Sequence, residues 1–133
     1  MKRFFDKKES WSHKERSAQQ DENLSSMVKL GYKKSSALKK ILDSHKINPA
    51  KIKTRDDLEI LPVTSREKLV EMEMRNIPYA GLENSTAAID RIFTSPGPVY
   101  EPHLSETDYL WARAFFAAGI GPKDVALNAF SYH

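Results

Sequence analysis

Cysteine is absent from this chain of 133 residues. Its absence excludes disulfide bonds, thiolate catalysis and cysteine-ligated zinc or iron–sulfur sites. The sequence also lacks any apolar run near the roughly 20 residues that a membrane helix needs. The basic start, Met1–Asp6, is not followed by the apolar stretch of a signal peptide. We therefore expect a cytoplasmic protein without a membrane segment.

Histidine is scarce, and the histidines are far apart. His13, His45 and His103 do not show a ligand spacing such as H-x-x-x-H, which metal-binding helices use. A Ser-His-Asp triad is defined by geometry that one sequence does not reveal. We therefore assign neither a metal ligand nor a catalytic residue.

The residues that are present fit a single domain, with 40 % apolar and 29 % charged side chains. Residues 1–53 carry 14 Lys/Arg and 6 Asp/Glu, whereas residues 54–133 carry 7 and 12. A basic half is typical of nucleic-acid binding. Here, however, the lysines are scattered among polar residues of predicted helices and form no nucleic-acid motif. We interpret them as a solvated helical surface and keep nucleic-acid binding as a distant alternative.

The chain divides into three segments. Residues 1–12 lack periodicity and are expected to form a flexible arm. Residues 13–86 form a helical N-terminal segment, because apolar residues recur there at spacings of three and four. Ser65 is expected to cap a helix whose residues Leu69, Val70 and Met74 face inward. The predicted helices cover residues 13–34, 35–45, 54–58 and 66–75.

Residues 87–133 predict a β-turn-β-α-β arrangement, the start of an α/β domain with a mixed or parallel sheet. Two strands, 89–94 and 99–103, flank the turn-forming Ser95–Pro98 cluster. A capped helix is expected from Ser105 to about Ala118, and the apolar run Val125–Phe130 is typical of a buried parallel strand. Because one such unit does not cover a parallel sheet, we expect this fold to be an incomplete piece of a larger one.

Four sequence stretches, in order, carry a family resemblance, and one of them is the predicted strand at Ile89–Phe93. Leu58–Leu69 reads LEILPVTSREKL. Thr107–Trp111 is followed by the AAGIGPKDV of Ala117–Val125, and Asn128–Tyr132 reads NAFSY. Over about residues 20–133 the chain resembles the N-terminal portion of phenylacetate-CoA ligase-like members of the adenylate-forming, AMP-dependent acyl-CoA synthetase family.

The resemblance implies an enzyme that activates an aryl carboxylic acid with ATP and then forms its coenzyme A thioester. ATP, Mg and CoA are therefore implied as cofactors. The later adenylate-binding motifs, the magnesium-binding acid and the C-terminal catalytic lysine domain of the family are missing from the sequence. We expect this chain alone to be inactive.

The phosphate loop of the family, close to SSGTTGKP, aligns with Thr94–Pro102. Thr94, Ser95 and Gly97 are the degenerate cofactor-binding positions that remain. Proline at positions 96 and 98 removes two N–H donors from a loop that normally donates to phosphate. Glu101 replaces positive with negative charge, so we expect no strong nucleotide binding by this chain.

Phe130, Tyr132 and His133 correspond to the strand end that lies beside the acyl pocket in the family, and they are the candidate substrate-binding residues. The alternative is that Phe130 belongs to the core and that the other two belong to a frayed terminus.

Three interpretations of the whole chain stay open. It is a fragment of a longer ligase-like protein, a non-catalytic interaction module, or one half of a split ligase. Its expected partners are accordingly the remainder of the ligase fold, a second copy in a self-dimer, or a partner subunit that covers its apolar strand.

Overall fold

Helices and one β-hairpin form the regular structure of the computed structural model, which describes residues 4–97, 99–104, 111–127 and 129. Within these residues the fold is mixed helix and sheet, which agrees with the coarse α/β prediction. The elements in chain order are α1 (His13–Lys34), α2 (Ser36–Ser44), α3 (Arg66–Arg75), β1 (Arg91–Ser95), β2 (Val99–His103) and α4 (Ala112–Ala117). Short 3₁₀ helices cover Lys7–Ser10, Pro49–Lys51 and Arg55–Ile60.

Side-chain caps explain where α1 and α3 begin. The Ser12 hydroxyl accepts the N–H of Glu15 at 3.3 Å, and the Glu15 carboxylate accepts the N–H of Ser12 at 2.7 Å. This reciprocal pair satisfies two N–H groups that the helix itself leaves unbonded. The Ser65 hydroxyl accepts the N–H of Lys68 at 3.2 Å in the same way. The predicted bounds of both helices, 13–34 and 66–75, are confirmed.

The small core lies where α2 and the following segment pack against α1. Leu42 and Ile52 are fully buried, and Ala37 is buried beside them. The helix predicted over residues 35–45 therefore buries two of its apolar residues, Ala37 and Leu42. Burial of a leucine or isoleucine side chain contributes about 1.5–3 kcal/mol, so these residues are the main apolar anchors of the helical segment.

The loop after α3 closes the junction between α1 and α2. The carbonyl oxygen of Gly81 accepts the N–H of Ala37 and the hydroxyl of Ser35, both at 2.9 Å. Gly81 has a φ of +77°, and a Cβ there would lie 2.4 Å from the Ser36 hydroxyl oxygen. Both the backbone angle and the close approach explain why the position holds glycine.

The segment before α1 contacts α4. A carboxylate oxygen of Asp6 accepts a hydrogen bond from Arg113 at 2.5 Å, and the Phe5 ring meets the Phe116 ring edge-on at 5.8 Å between centroids. These contacts lie in the described part, residues 4–12, of the segment that the sequence predicted as a flexible arm.

β1 and β2 pair antiparallel, with Ser95 opposite Val99 and Arg91 opposite His103. They are the two strands of the sheet among the described residues, so the predicted parallel sheet is not formed there. Residues 125–127 and 129 have no strand conformation, and Val125 and Leu127 are 100 % and 93 % exposed. A strand needs a neighbour to accept its backbone hydrogen bonds, and the described residues offer none beside this run.

Candidate functional site

The predicted phosphate-loop residues lie at the closed end of the β-hairpin. Thr94 and Ser95 are the last two residues of β1, and Gly97 follows in the turn. Gly97 has a φ of +122°, a backbone angle that is readily available only to glycine. The turn therefore requires this glycine for its shape. Pro98 lies outside the described residues.

Arg66, the first residue of α3, covers this turn. Its guanidinium Nη2 donates a hydrogen bond to the carbonyl oxygen of Pro96. A Cβ placed on Gly97 would lie only 3.0 Å from the same nitrogen. The glycine thus leaves room for a positive charge beside a turn that contains no lysine of its own. The sequence did not predict a role for Arg66 at the turn, because no local spacing connects it to Pro96, which is 30 residues away.

The two hydroxyl side chains of the loop do not converge. Thr94 and Ser95 are neighbours in a strand, and successive strand side chains point to opposite faces of the sheet. Thr94 is exposed, whereas the Ser95 hydroxyl oxygen is buried and has no hydrogen-bond partner. One anion therefore does not receive both hydroxyl groups in this conformation.

The predicted substrate-binding residues Phe130, Tyr132 and His133 lie outside the described residues. The predicted capping box at Ser105 lies outside them as well. Trp111, the last residue of the Thr107–Trp111 stretch, is described and is 70 % exposed.

A second polar feature links α3 to the outer edge of β2. Glu73 is only 3 % exposed, and its Oε2 accepts the N–H of Tyr100 at 3.0 Å. The carboxylate occupies the place where a third strand would bond. The prediction that Met74 faces inward is wrong: Met74 is 71 % exposed. The hairpin contacts α3 at the neighbouring position, so the Glu73 side chain points inward instead of Met74.

A lysine-lined cavity of about 310 Å³ opens at the junction of α1 and α2. Its basic residues are Lys33, Lys34 and Lys39. The Asp43 carboxylate at 2.8 Å and the Tyr32 hydroxyl at 3.1 Å raise the pKa of Lys39 above its usual value. Because Lys39 already has an anionic partner, the cavity is less basic than its lysine count suggests.

An apolar groove of about 550 Å³ lies between the N-terminal segment and α4. Phe5, Phe115, Phe116 and Ile120 line it.

None of the helices in the described part of the chain combines the length and apolarity that a bilayer crossing requires.

The residues present do not fit the cofactors that the resemblance implies. For ATP, the turn offers one cation, Arg66, but its hydroxyl groups diverge and its flanking prolines donate no N–H. For Mg, the described residues contain no group of three His, Asp or Glu side chains that could hold a metal ion. The hairpin turn is thus a braced turn and not a phosphate cradle.

No protein-family model and no curated protein matches this chain. The resemblance to phenylacetate-CoA ligases therefore depends on the motifs quoted above.

Proposed function

We propose that this chain is the N-terminal portion of a cytoplasmic, phenylacetate-CoA ligase-like enzyme of the adenylate-forming family, and that it has no ligase activity alone. One contact carries the proposal. The LPVTSREKL stretch leads into α3, and its Arg66, the first residue of that helix, bonds the turn at Pro96. Two segments that resemble the family's approach to its nucleotide loop are 30 residues apart in sequence, yet they touch in space.

The reaction implied by the resemblance joins an aryl carboxylic acid to AMP and then to coenzyme A. A carboxylate is a poor electrophile until its oxygen carries a good leaving group, which is what adenylation provides. ATP, Mg and CoA enter the proposal only through the resemblance. Because the turn does not fit phosphate, we expect the chain alone to bind nucleotide weakly.

A pair of chimaeric enzymes tests this proposal. In the first, this chain replaces the corresponding front part of a phenylacetate-CoA ligase. In the second, residues 94–101 additionally revert to the loop of that ligase. We expect both to fold cooperatively, with acid-dependent ATP–pyrophosphate exchange near background in the first and restored in the second.

The two chimaeras separate the family assignment from the loop. A second chimaera that folds but stays inactive, or two chimaeras that fail to fold, would contradict membership in the family. Full exchange activity in the first chimaera would instead contradict the inference that the native loop is impaired.

A second candidate function is a non-catalytic interaction module, or one half of a split ligase. Exposed apolar side chains favour it: Val125 and Leu127 are almost completely exposed, and Ile92 and Phe93 of β1 are each 54 % exposed. Large apolar side chains that are left in water favour association with another chain that covers them. Sedimentation at micromolar concentration gives the oligomeric state, and binding of a hydrophobic dye reports exposed apolar surface. A monomer that binds no dye would contradict this candidate.

A further inference from the structure

The chain contains two copies of the N-x-S/T motif, the acceptor sequence for N-linked glycosylation. Asn23–Ser25 reads NLS and Asn84–Thr86 reads NST, so neither copy has a proline in the middle. Both asparagines are exposed. Three residues make a motif of low specificity, so the local geometry has to distinguish the two positions.

Asn84 lies in an exposed turn between α3 and β1. Its Oδ1 accepts two hydrogen bonds from Thr86, one from the N–H at 3.1 Å and one from the hydroxyl at 3.0 Å. The carbonyl oxygen of Asn84 accepts the N–H of Ala87 at 2.9 Å, and the Ser85 N–H donates to the Lys34 carbonyl at 3.1 Å. Among the described residues, Nδ2 of Asn84 donates to no group. The turn therefore holds the amide oxygen against the hydroxyl and leaves the amide nitrogen unengaged in an exposed side chain.

This arrangement suits the chemistry of transfer to an amide. An amide nitrogen is a weak nucleophile, because its lone pair is delocalised into the carbonyl group. A hydroxyl that donates to the amide oxygen stabilises the negative charge that this oxygen gains when the nitrogen gives up a proton. The Thr86 hydroxyl already makes that bond to Asn84 in the folded chain. The two side chains that the motif specifies are thus arranged to act together.

The motif at Asn23 has a different geometry, because it lies in the middle of α1. Residues two positions apart on an α-helix do not face each other, so the Ser25 hydroxyl is turned away from the Asn23 amide. Oδ1 of Asn23 accepts a hydrogen bond from Nε2 of Gln19 at 3.1 Å instead. The same chain therefore contains an exposed control motif that lacks the turn.

We propose that Asn84 is a site of N-linked glycosylation, with a glycosyl diphosphate as the donor, and that Asn23 is not modified in the folded chain. In the reaction, Nδ2 of Asn84 forms a bond to the anomeric carbon of the sugar and gives one proton to a base of the transferase. The bond from that carbon to the diphosphate oxygen breaks, and the diphosphate leaves with the electron pair. Nucleotide sugars and lipid-linked oligosaccharides share this chemistry. The inference does not depend on the proposed ligase role.

The test is peptide mapping by mass spectrometry. The full chain isolated from the cells that make it should carry a glycan on Asn84 and none on Asn23. The donor is identified by incubating the unglycosylated, folded chain with UDP-glucose and a soluble N-glucosyltransferase, or with a lipid-linked oligosaccharide and an oligosaccharyltransferase. An unmodified Asn84 in the native chain, no transfer from either donor, or equal modification of both asparagines would overturn the proposal.

Matched variants test the role of the turn. Thr86→Val keeps the shape of the side chain and removes the hydroxyl, so it should slow transfer to Asn84 at least about tenfold, whereas Thr86→Ser should still be modified. Ser25→Thr gives the helical motif the same hydroxyl residue as the turn and should leave Asn23 unmodified. A peptide of residues 19–27 is too short to hold a helix in water and should be modified at Asn23. Equal rates for Thr86→Val and the wild type, modification of Asn23 in folded Ser25→Thr, or an unmodified peptide would each contradict the role of the turn.

Discussion

The turn glycine of the hairpin gives the sharpest test of the described geometry. Gly97→Ala forces a side chain onto a residue with a φ of +122°. Backbone strain of this kind costs about 1–3 kcal/mol. The same substitution restricts the unfolded chain, which returns about 0.4–1 kcal/mol. The added Cβ would lie 3.0 Å from the Arg66 guanidinium, whose flexible side chain can move away at little cost. We expect a net loss of about 1–2 kcal/mol.

Gly121→Ala is the matched control. Gly121 does not have a positive φ, and the nearest atom to an added Cβ would be Asp124 Oδ2 at an ordinary 3.8 Å. Only the unfolded-state effect remains, so this variant should be unchanged or more stable by up to about 1 kcal/mol.

Equilibrium urea unfolding, followed by circular dichroism, measures both variants. With a slope of about 2 kcal/mol per molar, Gly97→Ala should lower the unfolding midpoint by about 0.5–1 M, and Gly121→Ala should not lower it. If Gly97→Ala is as stable as the wild type, or if both variants lose the same stability, the described turn is wrong.

Two further predictions concern the helical segment. Ser35 is buried, caps α2 through the N–H of Leu38 and also bonds a loop carbonyl, whereas Ser65 is an exposed cap. Ser35→Ala should therefore cost about 1 kcal/mol more than Ser65→Ala in urea unfolding, and equal losses would contradict the second role of Ser35. Hydrogen bonds from the N–H groups of Lys53 and Thr54 hold the pKa of Asp57 below its ordinary 3.8. The folded state therefore binds the proton of the Asp57 carboxyl less tightly than the unfolded state does. The stabilisation by ionised Asp57 is complete above pH 3.8 and is lost as the pH falls through the lowered pKa. Asp57→Asn should lose less stability than the wild type between pH 6 and pH 3, and an equal loss would contradict this assignment.

Local signals predicted the helices well. α1 and α3 have the predicted bounds because a serine cap begins each of them and an apolar spacing of three and four follows. β2 likewise follows the proline–glycine turn as expected. Such features depend on residues close in sequence, so a single sequence contains the information that fixes them.

The sheet and the site depend on distant residues, and there the sequence misled. The run Val125–Phe130 is apolar enough for a buried strand, but at its described positions it has no neighbour with which to pair. The bond from Arg66 to Pro96 crosses 30 residues, and the bond from Tyr100 to Glu73 crosses 27. No local spacing encodes either contact.

Both missed residues lie on one face of α3. Arg66 and Glu73 are seven residues apart, which is two helical turns, so they project on the same side with Leu69 and Val70 between them. The face that meets the hairpin is therefore an apolar centre with a cation at one end and a buried carboxylate at the other. Arg66 holds the turn through its carbonyl, and Glu73 holds the edge of β2 through an N–H. Because a one-residue rotation of α3 would expose Glu73 and bury Met74, these two polar bonds, and not apolar packing alone, select the orientation of the helix. The same orientation turns Arg66 toward the turn and Glu73 toward the edge of β2, so one choice of helix face determines both contacts.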